Sequence, residues 1–451
     1  MKSLLERPAP TAAAALTLRR GAARVLLDNW TGTSTVPSRT LYPHQWSWDS
    51  AFIAIGLRHL SARRAQQELE SLLAGQWDDG RVPHIVFNRA LPHDAYFPSP
   101  DFWRSSTAGR QAGAPAAPET SGIVQPPVHA LAAWLVHRAD PVESRRRGFL
   151  ARVLPRLAAW HDYLLAHRDL GGGGLAAVIH PWEPGMDNSP CWDQGLHRVE
   201  PAAPDAFQRA DLDHGHPADR PTDLDYGRYV SLATDYRDAG YDDGATRFAF
   251  AMEDPGFNAL LIASERALAA MARETGADAT AHTRRADTLT RHLVTRLWDE
   301  KAGIFRARDV LTGALVDERS VSGLIPLLVP HLPGHIVGRL VDTLTGPHFS
   351  APATSLVPSY DLHGHAFDAH RYWRGPAWFN TAWLIHRGLL THGRLQQATD
   401  LRQGFLTDAG ATGFAEYVDP ASGDPRGARH FSWTAALTLD LLCADPKEPT
   451  P

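Results

Sequence analysis

Apolar residues recur at three- and four-residue spacing along almost the whole chain, and no other feature restricts its fold as much. Ala13, Leu16, Leu18, Ala23, Leu26 and Leu27 mark one such stretch over 12–29, and others run near 122–137, 147–167, 257–273, 278–298, 334–344, 376–392, 394–408 and 431–443. A stripe repeating every 3.6 residues can be turned toward a core only as a helix. Strand signals are few: 303–308 and 313–316 are short and read as hairpins on a helical frame. At 451 residues the chain exceeds ordinary domain size, which leaves two domains or one large closed toroid. No Pro/Ser-rich linker divides the helical runs, so paired helices in one toroid are expected, although no sequence repeat marks them.

Between the helices lie long segments rich in Gly, Pro, Asp and aromatics: 77–120, 169–226, 301–320, 346–374 and 410–430. Ordered loops of that length usually carry function. Of 14 Trp, eight fall in such polar, interrupted stretches: Trp46, Trp48, Trp103, Trp182, Trp192, Trp373, Trp378 and Trp433. Indole faces beside carboxylates and amides suit a sugar ring, which is apolar on its C–H face and polar at its hydroxyls.

Five clusters concentrate these residues. Tyr42-Pro43-His44-Gln45-Trp46-Ser47-Trp48-Asp49 leads into an apolar helix, and Pro83 to Phe87 with Tyr96 to Trp103 precedes Ser121 to Pro127, which holds Gln125. His180-Pro181-Trp182-Glu183-Pro184-Gly185-Met186-Asp187-Asn188-Ser189-Pro190-Cys191-Trp192-Asp193 is the third. Tyr372-Trp373-Arg374-Gly375-Pro376-Ala377-Trp378 and Gly413-Phe414-Ala415-Glu416-Tyr417, followed by Phe431-Ser432-Trp433-Thr434, complete the set.

Other chemistries find little support. Forty-five Lys and Arg against 50 Asp and Glu give a net charge of −5 with no basic run, which argues against nucleic acid. Two cysteines, Cys191 and Cys443, exclude a disulfide framework and fit a reducing compartment, so the chain is read as cytoplasmic. Pro8 and Pro10 interrupt any apolar h-region of a signal peptide, and no run reaches the length of a membrane span. Asn29-Trp30-Thr31 is a glycosylation sequon without an export signal. The 23 His, among them His363, His365 and His370, form no metal motif; Gly171 to Gly174 follows a helix pattern and is no dinucleotide loop; Gly-x-Ser-x-Gly is missing.

With these clusters in this order, the chain from about Trp30 to Leu442 resembles glycoside hydrolase family 63, most closely its small bacterial mannosylglycerate and glucosylglycerate hydrolases. The resemblance implies an all-α fold, an (α/α)6 barrel spanning 1–451 as a single domain, a toroid of six helix hairpins whose loops and few short hairpins cover the mouth. Insertions at about 77–120 and 169–226 would form a cap. It also implies an inverting hydrolase with no cofactor and no metal, acting on a small carbohydrate; a homo-oligomer is left open.

By the same resemblance Asp187 matches the general acid, in the Trp-Glu-x-Gly-x-Asp-Asn-Ser pattern, and Glu416 the general base. Inversion needs such a pair, one carboxyl protonating the leaving oxygen while the other activates water across the ring. Asp187 must then stay protonated near neutral pH, and Trp182, Trp192, Glu183 and Asp193 are candidates to keep it so. Trp46, Trp48, Asp49, Gln125, Trp182, Gly185, Trp373 and Trp378 would surround the sugar, and Arg220, Tyr226, Tyr42 and Tyr372 would hold a glycerate carboxylate. The pattern departs at His430, where an amide is expected to complete that clamp. Simpler roles compete: an Asx turn for Asp187, a helix N-cap for Asp49, a surface charge for Arg220. So do the same chemistry on another small α-glucoside and a sugar-binding barrel without catalysis.

Overall fold

The computed structural model describes residues 11–212 and 217–445; the proline-interrupted start of the chain, residues 1–10, lies outside them. Twelve helices of eleven residues or more occur among the described residues: α1 (Ala12–Asp28), α2 (Ser47–Leu57), α3 (Ala62–Leu73), α4 (His129–Ala139), α5 (Phe149–His167), α6 (Asp223–Asp238), α7 (Pro255–Thr275), α8 (Thr280–Leu297), α9 (Gly334–Thr345), α10 (Phe379–Thr391), α11 (Leu395–Ala411) and α12 (Ser432–Cys443). Their ends follow local chemistry. Thr11, Ser61, Thr222 and Asp254 cap α1, α3, α6 and α7 through side-chain oxygens, Pro255 opens α7, and Gly276 closes it in the left-handed conformation.

Contacts between elements close a ring. Helix α2 packs on α4, α4 on α7, α7 on the short 3-10 turn Ile325–Leu328, that turn on α10, α10 on α12, and α12 back on α2. Outside it, α1 lies on α12, α3 on α2 and α4, α5 on α4 and α7, α8 on α7, α9 on the strand Ile304–Phe305, and α11 on α10 and α12. Six inner and six outer elements thus alternate along the chain, the (α/α)6 arrangement.

Twelve helices were expected and twelve are found, but they are not the twelve elements of the ring. Helix α6 stands apart and contacts the turn Ser105–Ala108, while the inner place between α8 and α9 is filled by 3-10 turns at Val321–Gly323 and Ile325–Leu328. Pro326 and Pro330 disfavour helical backbone at the residues before them, so an apolar run that is buried from Val321 to Val329 makes only short turns. The run near 122–137 starts as a helix only at His129, because Pro126 and Pro127 hold the preceding residues extended.

Burial separates the two rings. All eleven residues of α2 are buried, as are Phe379–Leu389 of α10 and Ser432–Leu441 of α12, whereas α8 buries only Ala286, Leu289, Leu293 and Leu297. Inner helices are covered all round and outer ones on a single stripe. The sheets are small: Gln45–Trp46 pairs with Ile85–Val86, and Ala377–Trp378, Tyr417–Val418 and Pro425–Arg426 form a three-stranded antiparallel set. The expected hairpin at 303–308 is found as Trp298–Asp299 against Ile304–Phe305. Asn29 of the sequon is buried, its amide donating to His430 O at 3.0 Å and Ser432 Oγ at 2.9 Å.

Candidate active site

Most of the aromatic clusters meet because they sit at or just ahead of the start of an inner helix, and the loop 180–193, between α5 and α6, joins them. Trp46, Trp48 and Asp49 open α2, Gln125 lies just ahead of α4, Tyr372, Trp373 and Trp378 lie ahead of α10, and Phe431 and Trp433 open α12. All of these except Trp378 line one pocket. Every residue proposed from the sequence is on its wall except Trp378 and His430.

Trp378 stacks behind Trp373 with centroids 3.9 Å apart and an interplanar angle of 2°, and its indole N–H donates to Tyr372 O at 3.1 Å. It supports the wall without forming it. His430 is exposed, has φ of 52°, and borders a second cavity that also touches Arg220. It is thus off the wall of the first pocket, on a cavity that shares Arg220 with it.

Of the eight Trp singled out above, Trp46, Trp48, Trp182, Trp373 and Trp433 face the pocket; Trp103 and Trp192 are buried elsewhere. Trp192 donates its indole N–H to Met186 O at 2.7 Å and so fixes the loop that carries Asp187. The same loop is tied down by Tyr229, whose hydroxyl donates to Asp187 O at 2.8 Å, and by Asn188 Oδ1, which accepts the Trp373 N–H at 2.8 Å. Gly185 has φ of 69°, and a Cβ there would lie 2.5 Å from the Trp48 ring, so only glycine lets the loop lie flat on that indole.

Four carboxyl groups share the pocket: Asp49, Asp187, Asp211 and Glu416. Asp187 is partly buried, and loss of water pushes its carboxyl up to about 7; Arg220 opposes the shift, and Glu416 and Asp211 add to it. The acidic neighbours expected from the sequence do not act there. Glu183 is fully buried against Arg168, with Nη1 at 3.0 and 2.9 Å from its two oxygens, and Asp193 is held by Arg374 at 2.9 and 2.7 Å. Asp49 is 3% exposed and is raised by burial and then by Glu416. It lies in the first turn of α2 behind Trp46, which occupies the N-cap, so the N-cap role is not its own.

Glu416 is 1% exposed and is also raised by burial, against the pull of Arg220 and its own hydrogen bonds. Its Oε1 accepts from the Tyr42 hydroxyl at 3.1 Å and the Tyr372 hydroxyl at 3.2 Å, and its Oε2 from the Ala428 N–H at 2.9 Å. Arg220, only 6% exposed, donates through Nη1 to Tyr42 Oη at 3.0 Å and lies 4.7 Å over the Tyr372 ring. It is not a surface charge, and it is the only Lys or Arg among the described residues of the pocket wall.

Sequence reasoning assigned no site role to Pro37, His84, Tyr96, Pro98, Asp211, Pro221 and Phe431, although His84, Tyr96, Pro98 and Phe431 lay in the quoted clusters; Trp433 was read there only as one of the wall tryptophans. His84 stacks on Trp182 at 6.3 Å and is driven down to about 3 by burial and then by His180, which leaves a neutral ring. Among the described residues no group of three or more His, Cys, Asp or Glu is arranged to hold a metal ion, and no helix is long and apolar enough to cross a membrane.

Comparison with known proteins identifies the family. The mannosylglycerate hydrolase MGH1-like glycoside hydrolase domain matches residues 42–434. A mannosylglycerate hydrolase of Rubrobacter radiotolerans is 39% identical over 93% of this chain and 96% of its own length, and a glucosylglycerate hydrolase of Mycolicibacterium hassiacum is 37% identical over the same shares. The crystal structure of the family 63 mannosylglycerate hydrolase from Thermus thermophilus in complex with Tris and D-glycerate superimposes with a TM-score of 0.85 at 37% identity, covering 94% of this chain and 99% of that one. The chain therefore belongs to the mannosylglycerate hydrolase MGH1-like glycoside hydrolases of family 63.

Proposed function

We propose that this glycoside hydrolase cleaves the α-linked bond between a hexose and glycerate with inversion, taking glucosylglycerate, mannosylglycerate or both. The carrying observation is the pairing of two burial-raised carboxyls, Asp187 and Glu416, with one buried cation, Arg220, on the wall of a single pocket. Asp187, protonated up to about 7, gives its proton to the glycosidic oxygen as the bond from C1 to that oxygen breaks. Water attacks C1 from the opposite face and gives a proton to Glu416, so the hexose leaves as the β-anomer and glycerate as the free acid anion.

Trp48, Trp182, Trp373 and Trp433 offer apolar faces to the sugar. Gln125 spends its carbonyl oxygen on the Trp48 N–H at 3.1 Å and keeps its NH2 for a hydroxyl, with Asp49 beside it. Arg220, with Tyr42 and Tyr372, supplies charge and donors for an anionic aglycone. Tyr96 and Pro98 from 77–120, and Trp182, Asp211 and Arg220 from 169–226, line the same pocket, which supports reading both insertions as its cap.

The test is hydrolysis of glucosylglycerate and mannosylglycerate side by side, followed by proton NMR. β-Hexose should form first and mutarotate later. First release of α-hexose would mean retention and remove the base role of Glu416, and release of hexose only from neutral glucosides would remove the glycerate reading.

A further inference from the structure

The two hydroxyls that an anionic aglycone would seek are already committed to Glu416. Tyr42 and Tyr372 both donate to Oε1, their hydroxyl oxygens lie 3.0 Å apart, and Arg220 donates to one of them. Two phenols carry only two protons. A carboxylate drawn to Arg220 therefore competes with Glu416 for the same donors. We propose that Tyr42 and Tyr372 are exchanged between the two carboxylates, so that an anionic aglycone frees Glu416 from their hydroxyls and makes it the stronger base. This rests on the reading of Arg220 as the aglycone's partner, and it makes Tyr42 and Tyr372 positioning residues whose effect reaches the base and not affinity alone.

The sign follows from which form each contact favours. Hydrogen bonds donated to a carboxylate stabilise its charged form, and a second negative charge nearby opposes it. Losing the tyrosine donors and gaining the aglycone charge both raise the affinity of Glu416 for a proton. The Ala428 N–H, which holds Oε2 at 2.9 Å from the backbone, belongs to the opposite side of the carboxyl from the exchanged hydroxyls. Other charged or titratable groups facing Glu416 are Asp49 at the start of α2, Asp187 and Arg220 from 169–226, Tyr96 from 77–120, and Tyr417 beside it on the hairpin. Both phenols are kept protonated by burial, so they enter the exchange as donors. With a neutral aglycone of the same size there is no competitor, and Glu416 keeps both hydroxyls.

The distinguishing measurement is the acid limb of kcat against pH, which reports the base within the substrate complex. For glucosylglycerate it should lie about one pH unit or more above that for glucosylglycerol. Tyr372→Phe, which removes a donor from Glu416 only where the aglycone has not already drawn it away, should raise the limb for glucosylglycerol and narrow the gap between the two substrates. Coincident acid limbs in the wild type, or a Tyr372→Phe variant that changes KM while leaving both limbs in place, would overturn the exchange while leaving the hydrolase reading intact. Failure to turn over glucosylglycerate at all, with glucosylglycerol hydrolysed, would overturn both together.

Discussion

At the scale of single residues, Asp187 sets function against stability. Its carboxyl titrates near 7 in the folded protein and near its ordinary, lower value in the unfolded chain. The folded chain thus holds a proton that the unfolded chain releases, so stability falls as pH climbs from the ordinary carboxyl range to about 7, then levels off. Asp187→Asn removes that titration. Its Tm should exceed the wild type's by more at pH 8 than at pH 5, while its rate on glucosylglycerate falls about 100-fold or more and recovers partly on an activated glycosyl fluoride. A variant equally displaced from wild type at both pH values would show that Asp187 is not the group held protonated. The two carboxyls proposed as acid and base were picked out by their motifs, but the groups that shift them were not. Glu183 and Asp193 are near Asp187 in sequence, yet each is neutralised by an arginine brought in from elsewhere, Arg168 and Arg374. Asp211, which does act on Asp187, comes from a polar stretch with no pattern to single it out.

At the scale of elements, the helical period showed most helices, though not α3 or α6, and it did not show which ring each joins. The distinction lies in the second face. Helix α2 reads apolar all round because it is enclosed, and α8 reads amphipathic because one side meets water. The missing inner helix was illegible because its place is held by turns around Pro326, which give no 3.6-residue period. Close packing of inner helices is set by small residues. Gly56 in α2 lies so near α12 that an added Cβ would sit 2.3 Å from Ala436 Cα, a backbone atom that cannot swing aside. Gly56→Ala should therefore cost about 1–3 kcal/mol in urea unfolding although alanine is the better helix former. A neutral or stabilising effect would mean that the two helices can part without loss.

At the scale of the whole molecule, ring closure joins the ends of the chain. Helix α12 packs between α1 and α2, and the Ser432 N–H donates to Pro37 O at 2.9 Å. The pocket shares this dependence, since Tyr42, Trp46, Trp48 and Asp49 come from the first inner helix and its approach, and Glu416, Phe431 and Trp433 from the last. A chain ending at residue 430 should release no hexose and should run as aggregates in size-exclusion chromatography, because the apolar flanks of α2 and α10 are left uncovered. A monodisperse, folded product would show that closure is dispensable. During synthesis the same seam sets a timetable. The ribosome delivers α2 early and α12 last, so every nascent intermediate carries an open barrel edge and half a binding site for nearly the whole period of translation. Such a chain gains its enzyme activity in one late step, when α12 is free to dock, and depends until then on whatever in the cell shields a growing apolar surface.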